Sequence, residues 1–249
     1  MRKLIVFATC ILLCTAVQAQ DKGNRPKVGG KPADAAPLPN LQTCVHTAQA
    51  NLLLFTQAQP NDVNSIIKEI EVYIDSMPKN KSVADQQLAK HFTPLRHFFL
   101  TTANRTSVAT QFFYTVAPYN FCMYNDTALA LNIWAVKNGD PYNLSKMTDK
   151  RIARLALTNC LLPSLAALDE FKNGDIKYVA LSVYFGAKDT REGAPHMATV
   201  PYCLTLIARL SDIMQYADGL ITDKGLLAVA EVYLADEEGE KRLNLDLHE

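Results

Sequence analysis

One apolar segment, Lys177 to Phe185 (KYVALSVYF), constrains the fold of this chain more than any other part of it. A nearly continuous run of β-branched, aromatic and other apolar side chains is typical of a strand covered on both faces. Thr199 to Ala217 follows with apolar side chains at helical spacing, and Leu226 to Leu234 is a second β-prone run. Strand, helix and strand in this order predict a βαβ unit, because a crossover helix lets two neighbouring strands run parallel.

The sequence before this unit favours helices. Residues 63–77 carry apolar side chains at spacings of three and four behind Asp62, a residue type that caps helix N-termini. Residues 127–136 and 148–171 favour buried helices, whereas residues 108–116 fit a strand as well as a helix. We therefore predict an α+β fold with a predominantly helical N-terminal part and a small C-terminal βαβ sheet unit; the alternative is an α/β layered sandwich.

The first residues have the three parts of a secretory signal peptide. Two basic residues follow Met1, residues 4–14 are apolar or small throughout, and small side chains at positions 17 and 19 precede a cleavage point. The apolar stretch is too short to cross the roughly 30 Å of hydrocarbon in a bilayer. We expect a secreted or periplasmic protein after cleavage near Ala19, with no transmembrane segment in the remainder.

Composition divides the remainder into three stretches. We expect residues 20–40 to form a flexible leader rich in proline and glycine, because they cannot bury enough surface to offset their ordering entropy. Residues 41–236 are long enough for a single globular α+β domain, or for a helical part at 41–172 and a βαβ part at 173–236. Residues 237–249 read as a charged tail.

Four cysteines follow the signal peptide, namely Cys44, Cys122, Cys160 and Cys203. An even number of cysteines in an oxidising compartment permits disulfides, and the sequence leaves all three pairings open. Cys160 lies among leucines, where a thiol also packs well as a small hydrophobic group.

Charge and motifs argue against several classes of function. The chain has 25 basic and 25 acidic side chains, which is atypical of a protein that binds nucleic acid. It lacks the short motifs of phosphate-binding loops, serine hydrolases, zinc proteases and EF-hands, so we expect no cofactor and no metal site. His91 and His97 are six residues apart; a helix turns them away from a common face, and we interpret both as surface residues.

The loop after the strand at 177–185 is the candidate ligand site. Residues 186–196 (GAKDTREGAPH) place charged and polar side chains between glycines and a proline. Ligands of parallel sheets bind beyond the carboxyl ends of strands, where the next helix also presents unpaired N–H groups. An anion is therefore the expected ligand. The candidate binding residues are Lys188, Asp189, Arg191, Glu192 and His196.

Glu231 is a single carboxylate within the otherwise apolar run at 226–234. Burying it without a partner would cost several kcal/mol, so it must be paired, protonated or directed toward water. We predict an outward position on an edge strand.

These patterns lead to two hypotheses about function. The first is an exported protein without catalytic activity that binds a partner or contributes to the structure of the cell envelope. The second is an exported hydrolase or a binder of a small anionic ligand, with its site in the 186–196 loop. The second hypothesis predicts a concave pocket around that loop, whereas the first predicts an exposed apolar surface.

Overall fold

A computed structural model describes residues 44, 62–78, 83–104, 110–113, 120–125, 128–137, 140–188, 199–236, 239–243 and 245. All of them lie in one compact unit, Pro37–Glu249. The predicted signal peptide and leader lie outside the described residues. Part of the predicted charged tail is described and includes a short strand.

Three helices come first in the described chain: α1 (Val63–Asp75), α2 (Val83–Lys90) and α3 (Phe92–Ala103). α1 begins where the sequence predicts, since the backbone N–H of Ser65 donates to Oδ2 of Asp62 at 3.0 Å. Its buried residues lie three and four apart, as the spacing indicates: Ile66, Ile67 and Ile70.

Pro94 divides what would otherwise be one helix from residue 83 to residue 103. The chain turns at His91, between α2 and α3, so that Pro94 falls in the first turn of α3. The N–H groups of a first helical turn have no intrahelical partner, so a proline there removes no hydrogen bond.

The strands form one mixed sheet. They are β1 (Thr110–Phe113), β2 (Phe121–Tyr124), β3 (Ala128–Lys137), β4 (Tyr142–Asn143), β5 (Tyr178–Lys188), β6 (Val200–Arg209), β7 (Glu231–Ala235) and β8 (Glu240–Leu243). The order across the sheet is β1-β3-β5-β6-β7-β8. β1 and β2 pair with different parts of β3, and β4 pairs with β5 beyond the end of β3. β5 is parallel to β3 and β4, and every other described pair is antiparallel.

This sheet shows that both predicted architectures are wrong. The N-terminal part is not predominantly helical, because it supplies β1 to β4. The C-terminal part is not a parallel βαβ unit, because β5, β6 and β7 pair antiparallel. Of the helix predicted at 199–217, residues 200–209 instead form β6. Only the last part of that range is helical, as α6 (Leu210–Ala217).

Two further elements differ from the prediction. Where a buried helix is predicted at 127–136, the chain forms β3 (Ala128–Lys137). The run at 226–234 is divided between α7 (Asp223–Val229) and β7. The physical reason is common to β3 and β6. Both are buried almost throughout, and a strand covered on both faces has no polar alternation that would distinguish it from a buried helix.

The parallel pair β3 and β5 is connected through a helix of 23 residues, Asp149–Phe171. It comprises α4 (Asp149–Ala156), a π-helical turn (Leu157–Leu161), α5 (Leu162–Leu168) and a terminal 3-10 turn (Asp169–Phe171). The N-terminal cap is Thr148, as predicted, whose Oγ1 accepts from the N–H of Arg151 at 3.3 Å. Pro163 is the second residue after the π turn, and a wider turn relieves the clash that a proline causes inside a regular helix.

By length and composition alone, this helix would be long enough to cross a membrane, with a mean hydropathy of 1.2 over its most apolar window. More than half of that window, 56%, is buried inside the protein. A core helix of a folded domain passes the same test, so its composition does not by itself indicate a membrane span.

Alternation along the strands gives the sheet two faces. Val179, Leu181, Val183 and Phe185 of β5 lie on the helix-side face, in a core shared with α1, α3 and the helix Asp149–Phe171. The residues between them lie on the opposite side, called here the second face. On β5 these are Tyr178, Ala180, Ser182 and Tyr184.

Candidate functional site

The predicted ligand loop begins at the end of β5. Lys188 is half-buried, and its carbonyl accepts from the N–H of Leu144 at 2.9 Å. Asp189, Arg191, Glu192 and His196 lie outside the described residues. Because residues 200–209 form a strand, the loop joins two antiparallel strands and no helix begins at Thr199. The helix-based argument for an anion is therefore wrong, whereas the five site residues stay a prediction.

Near Lys188, Lys137 at the end of β3 contacts Tyr142 of β4, the short strand that pairs with the end of β5. Nζ of Lys137 lies 4.6 Å from the centre of the Tyr142 ring and also donates to the carbonyl of Asp140. Burial lowers the pKa of Lys137 and raises the pKa of Tyr142 to about 12. These contacts join the end of β3 to Asp140 and to β4, which explains the lysine without a ligand.

A different set of polar residues lies at one end of the second face. Its members come from the strands β2, β5, β7 and β8. We call this set the tyrosine cluster: Tyr124, Tyr178, Glu231, Tyr233 and Arg242. The hydroxyl of Tyr233 donates to Oε2 of Glu231 at 2.7 Å, and Nη2 of Arg242 lies 3.1 Å from Oε1. The rings of Tyr124 and Tyr178 lie 4.2 Å apart between centroids. The cluster thus combines aromatic surface with a paired acid and base.

Two phenols of this cluster, those of Tyr124 and Tyr233, are hydrogen-bond donors rather than nucleophiles. Burial, and then the hydrogen bond to Glu231, raise the pKa of Tyr233 to about 12. The same two causes raise the pKa of Tyr124. Both hydroxyls therefore stay protonated at neutral pH and are oriented by a single carboxylate.

Glu231 is paired, which is one of the three states that the sequence leaves open. The prediction of an edge strand is wrong, because β8 pairs with β7 on its outer side. The two side chains of the Glu231–Arg242 ion pair differ in exposure: that of Glu231 is 19% exposed and that of Arg242 is 63% exposed. The guanidinium consequently faces solvent while the carboxylate is held among tyrosines.

A disulfide lies beside the tyrosine cluster. Cys44 is bonded to Cys122 of β2, with 5.0 Å between the Cα atoms, and this resolves the pairing that the sequence leaves open. The three tyrosine rings pack against the buried group that contains this disulfide. Cys160 and Cys203 are buried thiols. Burial raises the pKa of Cys203 to about 12, so its thiol is protonated and unreactive at neutral pH.

Hydroxyl groups occupy the middle of the second face. Ser182 of β5 and Thr205 of β6 are directly paired across the strands, with 3.1 Å between their oxygens, and both are almost fully buried. The next residue in this cross-strand row is Tyr233, followed by Arg242. The row therefore leads from a buried hydroxyl pair to the exposed guanidinium. The two inner hydroxyls satisfy each other, and Sγ of Cys203 also lies 3.7 Å from Oγ1 of Thr205.

The prediction for His91 is wrong, because it is 6% exposed and not a surface residue. Its Nε2 lies 2.8 Å from Oδ1 of Asp175, whose Oδ2 lies 2.6 Å from Nζ of Lys90. His97 is exposed on α3, as predicted. Among the described residues, no group of three or more histidine, cysteine, aspartate or glutamate side chains could hold a metal ion.

A shallow groove of about 490 Å³ runs between the end of the helix Asp149–Phe171 and α6. Its lining includes the ion pair of Lys172 with Asp169, at 2.8 Å, together with Lys177 and Asp218. It does not include Lys188. The large apolar side chains that are exposed in the described chain lie on several different elements: Val72, Leu162, Leu220 and Val229. Neither feature gathers the predicted site residues.

Comparison with protein-family models, with curated proteins and with solved structures found no match to this chain. The choice among the polar sets therefore depends on their chemistry. The lysine–tyrosine contact joins β3 to β4, and the buried hydroxyl pair is satisfied within the protein. The tyrosine cluster differs because it places three half-buried aromatic rings beside an exposed guanidinium.

Proposed function

We propose that this chain is an exported protein without catalytic activity, which binds a protein partner through the tyrosine cluster. One observation carries the proposal: three half-buried tyrosines surround the Glu231–Arg242 pair at one end of a sheet face. Tyrosine and arginine are enriched among the residues that dominate binding energy in protein interfaces. A tyrosine offers a large contact area with few rotatable bonds, so ordering it costs little entropy.

The arginine of the cluster is placed to contact a partner. A guanidinium has five N–H donors in a fixed plane, and the contact with Glu231 joins one of its nitrogens to one carboxylate oxygen. With 63% of its side chain exposed, Arg242 can donate to a carbonyl or a carboxylate of the partner. The contact with Glu231 favours orientations of the arginine beside the tyrosines, and a side chain that is partly ordered loses less entropy on binding.

The disulfide supports both the export and the rigidity of this surface. Disulfides persist in oxidising compartments and are rare in the cytosol, so the Cys44–Cys122 bond favours the location that the N-terminal pattern predicts. The bond holds residue 44 against the tyrosine cluster. A partner would therefore meet a surface that is already ordered.

The raised pKa values favour binding over catalysis. A general acid or base works best with a pKa near the working pH, and a thiol nucleophile needs its thiolate, whereas the pKa values of Tyr233 and Cys203 are each raised to about 12. In the described part of the chain these two groups are inert at neutral pH.

Site-specific photocrosslinking tests the proposal. A photoreactive phenylalanine replaces Tyr178 in the cluster or, as a control, Val229, which is 60% exposed on α7. In the full chain, exported from its own host, we expect a covalent adduct with one protein from position 178 and none from position 229. Adducts from position 229 alone, equal adducts from both positions, or none from either would overturn the proposal.

A further inference from the structure

The turn between α2 and α3 contains a buried ionisable side chain that the proposed binding function does not use. The side chain of His91 is 8% exposed, and its Nε2 lies 2.8 Å from Oδ1 of Asp175 in the turn before β5. Nζ of Lys90 lies 2.6 Å from the other oxygen of the same carboxylate. Asp175 thus connects two neighbouring residues of the helical segment to the turn before β5.

The imidazole ring also packs between elements that are distant in sequence. Its centroid lies 5.5 Å from that of Phe121 at the start of β2 and 6.4 Å from that of Phe171 at the end of the helix Asp149–Phe171. A side chain added at Gly174 would meet Cε1 of His91 at 3.7 Å, an ordinary contact distance. His91 therefore joins the α2–α3 turn to β2 and to the segment 171–175.

Among the described residues, two charged side chains lie close to this imidazole. They are Lys90 on α2 and Asp175 in the turn, whereas Phe121, Phe171 and Gly174 are uncharged. Burial lowers the pKa of His91, and Lys90 lowers it further, against the opposing effect of Asp175. Burial raises the pKa of the Asp175 carboxyl. The hydrogen bond from Lys90 and the contact with His91 lower it by more, so that its pKa is below the ordinary value.

We propose that His91 and Asp175 form a pH-sensitive latch, which releases the α2–α3 turn from the segment 171–175 when the medium becomes acidic. Once the turn opens, the imidazole is hydrated and its pKa returns to about 6.5. Below that pH the open state binds a proton that the closed state resists, so acidification favours opening. The opening constant rises by up to about tenfold for each pH unit, until the lower pKa of the closed state is reached.

The window is defined by the two groups. Above about pH 6.5 both states carry a neutral imidazole, and the latch stays closed without pH dependence. The pKa of Asp175 is lowered from its ordinary value of 3.8. Protonation of this carboxylate therefore weakens the closed state only at a pH well below the range in which His91 titrates. Between these limits His91 is the group of the latch that changes charge.

Amide hydrogen exchange of the full chain tests the latch from about pH 7.5 to about pH 4.5, expressed as protection factors that correct for the intrinsic rate. We expect protection of residues 91–104 and 172–178 to fall by up to about tenfold per pH unit below about 6.5. Protection of the β5–β6 pair should stay constant, which separates local opening from global unfolding. A fall that is equal in β5–β6, or no fall at 91–104, would overturn the latch.

Two variants on the same helical segment identify the titrating group. His91→Gln should abolish the pH dependence in this window, whereas His97→Gln, at an exposed position of α3, should retain it. If His91→Gln keeps the dependence, the latch is wrong. If that variant does not fold, imidazole titration by NMR in the natural chain decides: a pKa of His91 below about 6.5 supports the latch, and one at or above that value contradicts it.

Discussion

The helix-side face and the second face use alternate residues of the same strands, yet their chemistry differs. On β5, Leu181 packs into the apolar core, whereas its neighbour Ser182 meets Thr205 at 3.1 Å across the strands. Apolar packing is non-directional and tolerates many sequences, while hydrogen-bonding groups need particular partners at particular positions. We therefore expect the helix-side face to account for most of the stability, and the tyrosine cluster, at one end of the second face, to supply the chemistry available to a partner.

Core truncation on the helix-side face should give the largest effect. Leu181→Ala removes a side chain that is 1% exposed in the central strand, and we expect a loss of about 2–5 kcal/mol in the free energy of unfolding. Urea denaturation with an unchanged slope measures it. A loss below about 1 kcal/mol would mean that this face is not the main core.

Removal of the disulfide should come next. The double variant Cys44→Ala/Cys122→Ala opens a link between residues 78 positions apart, and we expect a loss of about 2–4 kcal/mol. A reductant should destabilise the natural protein by the same amount and leave the double variant unaffected. Equal sensitivity of both proteins to the reductant would contradict the Cys44–Cys122 pairing.

Truncation of the hydroxyl pair should lower the free energy of unfolding by less than core truncation does. Ser182 follows Leu181 directly in β5, so the two variants compare the two faces at neighbouring positions. Ser182→Ala leaves Thr205 without its 3.1 Å contact, and we expect a loss of about 1–3 kcal/mol. In the single variant the buried Thr205 hydroxyl keeps a weak 3.7 Å contact with Sγ of Cys203, so adding Thr205→Val should restore part of that loss. Strictly additive losses would show that the two hydroxyls act independently.

The smallest effect on stability should come from the exposed end of the cluster. Arg242→Ala removes a guanidinium that is 63% exposed, and we expect a change of less than about 1 kcal/mol. Lys241→Ala is the matched control, because it removes the same charge from the neighbouring residue, which pairs with Leu234 on the helix-side face. A much larger loss for Arg242→Ala would mean that this pair maintains the fold.

The helices that could be predicted from the sequence are those with one buried side. α1 has buried isoleucines opposite exposed residues, and Asp62 marks its start, so periodicity and cap agree. β3 and β6 lack this contrast. In β6 every residue from Tyr202 to Ala208 is buried, so any subset at helical spacing is apolar and the helical pattern there carries no information.

The candidate site could be predicted only in part, for a related reason. Glu231 is conspicuous because a carboxylate in an apolar run needs a partner. Its partners on other strands, Tyr124 and Arg242, reach it only through strand pairing, so an incorrect assignment of β3 conceals the cluster. The burial of His91 likewise depends on Phe121 and Phe171, which no local pattern connects to it.

The partner affinity of one matched pair of variants tests the central claim most directly. With the crosslinked partner purified, isothermal titration compares Arg242→Ala with Lys241→Ala, which have the same net charge and alter opposite faces of β8. We predict a loss of about tenfold or more for Arg242→Ala and an unchanged affinity for Lys241→Ala. Equal affinities of the two variants would show that the second face does not bind the partner.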